Sequence, residues 1–165
     1  MIVLMPVFIP TTLLLLFTGE GEIFYRQDRI GRNGNVFSLL KFATMLKNSP
    51  NIGTGTITIT NDPRVLPVGR FLRKTKINEL PQLLNIIKGD MSVIGPRPLT
   101  EETFSAYPEN LQSTILEVRP GLSGVGSVVF RDEEKLLTTV DDARKFYNEN
   151  IAPYKGKLEC WYVKN

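Results

Sequence analysis

The chain has 165 residues, 42% of them hydrophobic, which suits one domain with a packed core and excludes a disordered chain. It holds no histidine and a single cysteine, Cys160, which excludes histidine-based triads, histidine metal sites and any intrachain disulfide, and suits a reducing compartment. The net charge of +3 conceals a split, with +6 on residues 20–76 and −3 on residues 77–165, so the basic part follows the most apolar stretch, as an anionic membrane surface favours.

Met1 to Phe17 is almost wholly apolar, broken by Pro6, Pro10 and Thr11-Thr12. It is shorter than the ~20 residues a spanning helix needs and lacks the basic start and small-residue cleavage site of a signal peptide. Prolines in a lipid-facing helix leave carbonyls to be satisfied locally. The run therefore predicts a bent, re-entrant or interfacial helix dipping into one leaflet, with a buried core helix as the alternative. Glu22 to Leu40 predicts a β-hairpin turning at Gly31-Arg32-Asn33-Gly34. Thr54 to Thr60 is β-prone and is left open between strand and loop. Val65 to Lys76 predicts an amphipathic helix, with Arg70, Arg73, Lys74 and Lys76 opposite Val68, Phe71 and Leu72. Such a helix suits a membrane interface or a solvated surface.

The run from Asn78 to Pro98 carries the most chemistry. Leu80, Leu83, Leu84 and Ile87 are spaced for one helix face. Asn78 suits an N-cap, Pro81 the first turn, and Lys88-Gly89 a stop. A helix from Glu79 to Lys88 is expected. Asp90 follows directly. Gly95-Pro96-Arg97-Pro98 then holds an arginine between two prolines, which restricts the backbone and fixes its direction. A guanidinium aimed in advance suits a phosphate; a stiff turn with Arg97 paired to an acid is the other reading. Glu101 to Glu117 predicts a surface helix broken at Tyr107-Pro108. Arg119-Pro120-Gly121 opens a loop whose glycines, Gly121, Gly124 and Gly126, allow close approach to a ligand. Arg119 and Arg131 are candidate phosphate contacts. A charged helix is expected over Thr139 to Asn150, and Cys160 reads as a small buried apolar residue. The pattern as a whole predicts an α+β fold, with a β-hairpin and several surrounding helices. The basic residues do not alternate with stacking aromatics, so no nucleic-acid partner is expected.

These segments together resemble the bacterial sugar transferase family, the monotopic phosphoglycosyl transferases. The resemblance rests on the run above and on Phe24-Tyr25-Arg26-Gln27-Asp28-Arg29-Ile30-Gly31, Leu40-Lys41-Phe42-Ala43-Thr44-Met45, Asp62-Pro63-Arg64, Val68-Gly69-Arg70-Phe71-Leu72-Arg73-Lys74, Val118-Arg119-Pro120-Gly121-Leu122-Ser123-Gly124 and Trp161-Tyr162-Val163-Lys164-Asn165. It implies transfer of a sugar 1-phosphate from a UDP-sugar to polyprenyl phosphate, with release of UMP, as the first step of surface glycan assembly. It implies a small membrane-associated domain on the cytoplasmic face of the bacterial plasma membrane. Residues 1–19 would be a truncated re-entrant helix broken at Pro6. Residues 20–165 would be the cytoplasmic domain, lacking a C-terminal segment. The implied partners are the two substrates and the membrane surface, with self-association left open, and the implied cofactor is Mg²⁺.

In the family an Asp-Glu pair opens the central helix. The Asp attacks phosphorus and the Glu helps to hold the metal. Here the pair is Asn78-Glu79, and an amide cannot form the acyl phosphate. Three readings follow from the resemblance. Glu79 or Asp90 attacks, or the lipid phosphate displaces UMP directly; the chain binds its ligands without turnover; or Asn78 is only a cap. Lys41, Arg73, Arg97 and Arg119 occupy the positions of phosphate or nucleotide contacts. Glu159 stands where an Asp is usual, and Ala43 where a basic residue is common.

Overall fold

A computed structural model describes residues 5–18, 20–53 and 58–165. The architecture is mixed: two small sheets and a set of mostly short helices. The first helix, α1, spans Met5–Phe17. Pro6 falls in its first turn, where the missing N–H breaks no helical bond. The expected break at Pro6 involves residues that lie outside the described ones, and the helix carries Pro10 in its interior. Residues 1–4 and Gly19 of the predicted membrane segment lie outside the described residues.

The hairpin forms as expected, from β1 (Phe24–Ile30) and β2 (Val36–Phe42), paired antiparallel. Asn33 and Gly34 both take positive φ, +58° and +77°, the conformation for which Asn-Gly is favoured in tight turns. The Asn33 N–H donates to the Leu116 carbonyl at 2.8 Å, tying the turn to the body of the protein. β2 runs past the expected end at Leu40 because Phe42, 1% exposed, anchors the first core. Leu15 of α1, Phe42 and Leu72 are buried together there, with Phe8, Ile23, Val68 and Ile77 around them. Leu72 belongs to α2 (Pro67–Lys74), which packs so closely on the hairpin exit that a Cβ at Gly69 would lie 2.1 Å from the Thr44 carbonyl oxygen. The loop before α2 is held by a buried pair: Arg64 Nε donates to Asp62 Oδ1 at 2.8 Å, and Arg64 Nη1 donates to the carbonyls of Ser49 and Ile52 at 2.9 Å each. Most of the open stretch, residues 54–57, lies outside the described residues, and Thr58 to Thr60 are not strand.

The central helix differs from its expectation. Lys76 turns left-handed at φ +61°, Ile77–Glu79 form one 3₁₀ turn, and the α-helix proper, α3, spans only Gln82–Lys88. Pro81 is the cause. It has no N–H to give the Ile77 carbonyl, and the Leu80 N–H takes that carbonyl at 3.1 Å instead. Asn78 makes no capping bond. The stop is as expected: Gly89 at φ +86° lets its own N–H reach Ile86 and the Asp90 N–H reach Asn85, a Schellman closure.

A second sheet was not foreseen. β3 (Ser92–Ile94) and β4 (Gly121–Ser123) pair in parallel, so the glycine region expected to be a loop is partly strand. α4 (Glu101–Ser105) and α5 (Glu109–Ile115) flank the break at Tyr107-Pro108. They are not purely superficial, since Tyr107 and Ile115 are buried in the second core with Leu99, Leu137, Tyr147, Ile151, Ala152 and Cys160. After α6 (Val125–Val129) and α7 (Glu133–Thr138), the helix expected over Thr139 to Asn150 starts later, as α8 (Ala143–Phe146), and runs through a π-helical turn at Tyr147–Ile151 into α9 (Ala152–Lys164). Asp142, not Thr139 or Asp141, caps α8, its Oδ1 accepting from the Lys145 N–H at 2.9 Å. Cys160 is a buried free thiol, as expected. No helix among the described residues is long and apolar enough to cross a membrane.

Candidate functional site

Alternation along the hairpin decides which side chains meet. Tyr25 pairs with Lys41, Gln27 with Leu39 and Arg29 with Phe37, so Arg29 and Lys41 leave the same face of the two strands. α3 is fastened against that ribbon by one buried amide. Asn85 Oδ1 accepts from the Leu40 N–H at 3.1 Å and Asn85 Nδ2 donates to the Ser38 carbonyl at 2.9 Å, so the side chain pairs with the β2 edge as a strand would. This places Glu79 and Gln82 opposite Lys41.

The third wall is the Gly95-Pro96-Arg97-Pro98 loop. The Gly95 N–H donates to Ser123 at 2.9 Å and the Gly121 N–H to Pro96 at 2.8 Å. A Cβ at Gly121 would lie 2.1 Å from the Gly95 nitrogen, and one at Gly124 2.1 Å from the Gly95 oxygen. These glycines therefore admit neighbouring backbone. Gly126 likewise makes room for Glu159, whose Oε1 would lie 2.3 Å from an added Cβ. Pro96 and Pro98 are buried while Arg97 between them is exposed.

The result is a small polar cleft lined by Arg29, Lys41, Glu79, Gln82 and Arg97, with Leu39, Pro98, Gly121 and Leu122. Cations outnumber the one carboxylate. Burial, then Arg97 and Arg29, push the Lys41 ammonium down to about 7, against the opposite pull of Glu79. Burial and Arg97 likewise bring Arg29 down to about 10. A set of cations that disfavour one another's charge is complementary to an anion.

The other candidates are placed elsewhere. Arg73 acts on Lys41 through its charge, but its guanidinium pairs with Glu134 of α7 at 2.8 Å. Asp90 lies at the far end of α3, accepting from Asn85 Nδ2 at 3.2 Å. The exposed Arg119 is at that same end, with its guanidinium 3.8–3.9 Å from where a Gly89 Cβ would be. Neither lines the cleft. Arg131 is exposed between α6 and α7. Glu159, 1% exposed, lies beneath the loop, with its Oε1 accepting weakly from the Arg97 N–H at 3.5 Å. Burial raises its carboxyl above the usual range, and its Oε2 is buried without a partner. Asn78 is 6% exposed beside Glu79, with Oδ1 buried and unpartnered. Arg29 was not singled out from the sequence. Its place two residues from Gln27, on the strand face shared with Lys41, is the signal that could have found it.

Glu79 is the only carboxylate in the cleft, and no three acidic or sulfur ligands cluster among the described residues. A lone carboxylate matches a Mg²⁺ that keeps waters and takes its other oxygens from phosphates, and does not match a metal held by protein alone.

The cleft thus defines a class: a small α+β domain with an arginine- and lysine-lined cleft beside one carboxylate. Comparison with known proteins narrows the class. The model of the bacterial sugar transferase family matches residues 1–165, and the chain belongs to that family. It is 38% identical over 154 residues to the exopolysaccharide production protein ExoY of Sinorhizobium fredii, covering 85% of this chain and 68% of that protein. It is 33% identical over 159 residues to the undecaprenyl-phosphate galactose phosphotransferase of Salmonella typhimurium, covering 88% of this chain and 30% of that protein. It is 35% identical over 162 residues to the UDP-N-acetylgalactosamine-undecaprenyl-phosphate N-acetylgalactosaminephosphotransferase of Aeromonas hydrophila, covering 97% and 35%. The chain spans about two thirds of the first relative and about one third of the other two.

Proposed function

We propose that the chain transfers a sugar 1-phosphate from a UDP-sugar to polyprenyl phosphate, releasing UMP and initiating surface glycan synthesis. The observation that carries this reading is the cleft itself, where Lys41 and Arg97 flank Glu79 in a member of a sugar transferase family. Both substrates are phosphates, and the two cations would hold their oxygens and offset the charge that develops during displacement. Glu79 would be the protein ligand of Mg²⁺, which would neutralise diphosphate charge when bound.

Asn78 rules out the expected covalent step at its own position. We favour direct displacement. An oxygen of the lipid phosphate forms a bond to the β-phosphorus, the bond from that phosphorus to the bridging oxygen breaks, and UMP leaves with that oxygen. The chain's own residues then need only position and screen the phosphates. Arg73, Arg119 and Arg131 lie outside the cleft and would act on more distant parts of the substrates. Glu159 would act by supporting the Arg97 loop. The proposed place is the cytoplasmic face of the plasma membrane, with α1 in the lipid interface. In support, Ile9, Leu13, Leu16 and Phe17 of that helix and Phe71 of α2 are large, apolar and exposed.

The test is UMP release from a panel of UDP-sugars with polyprenyl phosphate in detergent. Turnover is expected to need both substrates and Mg²⁺, to leave no phosphosugar on the protein, and to fall ~100-fold or more in Glu79→Gln. A folded chain that releases no UMP under any of these conditions is not a transferase. Activity gained only in Asn78→Asp would instead favour a catalytically silent homologue that binds nucleotide sugar or lipid phosphate.

A further inference from the structure

We propose that Arg29 is a phosphate-contacting residue of the cleft, completing with Lys41 and Arg97 a three-cation cradle for a diphosphate. This deepens the transferase reading and rests on it only for the identity of the natural ligand.

Three observations place the role. Arg29 lines the cleft with Lys41, Glu79 and Arg97, reaching it from β1 while Lys41 comes from β2 and Arg97 from the proline-flanked loop. Its own bonds go to neutral acceptors. Nη1 donates to the Pro98 carbonyl at 3.1 Å and Nη2 to Gln27 Oε1, and no carboxylate pairs with it among the described residues. The guanidinium is therefore held in orientation while its charge stays uncompensated. The groups acting on it from the packed elements are Arg97, which opposes its charge, and the phenols of Tyr25 and Tyr147, which favour it. None of these is an anion at neutral pH.

An arginine serving only to brace Pro98 gains nothing from sitting among other cations, and its buried Nε goes without a partner. A half-buried cation with no counter-ion is costly, and two more beside it raise that cost. An incoming diphosphate removes the conflict. With Glu79 as the one negative charge, Arg29 and Arg97 leave the cleft at +1, and it reaches +2 when Lys41, pushed down to about 7, takes its proton, which the two charges of an incoming diphosphate favour.

The experiment measures inorganic pyrophosphate binding by titration calorimetry in metal-free buffer, on the full chain in detergent, with thermal melting alongside. The wild type is expected to bind, more weakly as salt rises. Arg29→Gln should weaken binding ~tenfold or more and flatten the salt dependence. Arg29→Lys keeps a point charge without the fork and should lose less. No pyrophosphate binding by the wild type overturns the inference. So does an Arg29→Gln affinity within about twofold of wild type. Equal losses in both variants that track a fall in melting temperature would make Arg29 a brace for Pro98 and also overturn it. If Arg29→Gln does not fold, Arg29→Lys decides: retained affinity supports the cradle, and loss of ~tenfold or more refutes it. Pyrophosphate binding that depends on Arg29 without any UMP release would remove the transferase reading and leave this role standing.

Discussion

Asn85→Leu tests how the cleft is held together. Its amide satisfies two backbone groups of the β2 edge at once, the Leu40 N–H and the Ser38 carbonyl. Leucine approximates the shape and removes both partners. The Leu40 N–H is half-buried and should cost ~2 kcal/mol when orphaned, while the Ser38 carbonyl belongs to an exposed residue, can take water and should cost ~1 kcal/mol. Added apolar burial returns at most ~1 kcal/mol, so the net loss should be ~2–3 kcal/mol. For a chain of this length that lowers the melting temperature by roughly 4–12 °C. Urea unfolding followed by far-UV circular dichroism measures the loss. Asn85→Asp is the control. It keeps the acceptor for Leu40, loses the donor to Ser38, and sets a second carboxylate beside Asp90, 3.2 Å away. It should be worse than leucine at pH 7 and recover as the pH falls, because the introduced carboxyl, buried beside a like charge, takes a proton above the ordinary carboxylate range. An Asn85→Leu protein within ~0.5 kcal/mol of wild type, below the usual net worth of these bonds, would refute the view that this amide fastens α3 to the sheet.

Two further outcomes follow from packing and charge. Gly121→Ala forces a methyl to within 2.1 Å of the Gly95 nitrogen, so it should cost ~3 kcal/mol or more and weaken pyrophosphate binding by displacing Arg97; melting and calorimetry check the two effects together. Asp62→Ala leaves the Arg64 guanidinium buried without its carboxylate and should cost ~3–5 kcal/mol by urea unfolding. The hydrogen bonds from Arg64 hold the Asp62 carboxyl below its ordinary value. Its contribution is therefore fully present above the unfolded pKa of ~3.9 and lost as pH falls below it, so wild type and variant should converge in stability in acid.

What could be read from the sequence was what local chemistry decides. The Asn33-Gly34 turn and the Gly89 stop depend on residues that tolerate positive φ, the Tyr107-Pro108 break on one whose φ is fixed, and each stands where expected. Failures came where distant residues decide. β3 and β4 are three residues each, with no alternation to betray them, and they pair across 29 residues of chain. Glu159 meets the Arg97 backbone across 62 residues. The sequence marks Gly121 and Gly124 as places of close approach without saying what comes close. The structure brings the Gly95 backbone against both.

Asn78 is the most consequential of the misread positions. As a helix cap, the amide would have had a local reason to be there, and its replacement by Asp could have been judged by stability alone. The structure removes that reason. Lys76 reverses the chain, a 3₁₀ turn absorbs residues 77–79, and α3 begins only after Pro81. Asn78 makes no capping bond and keeps a buried oxygen without a partner beside Glu79. A buried acceptor left unsatisfied is a cost that packing does not explain. In Asn78→Asp there is no cap to lose, so a change in UMP release at an unchanged melting temperature reports on the site and not on the start of the helix or on the burial of a carboxylate.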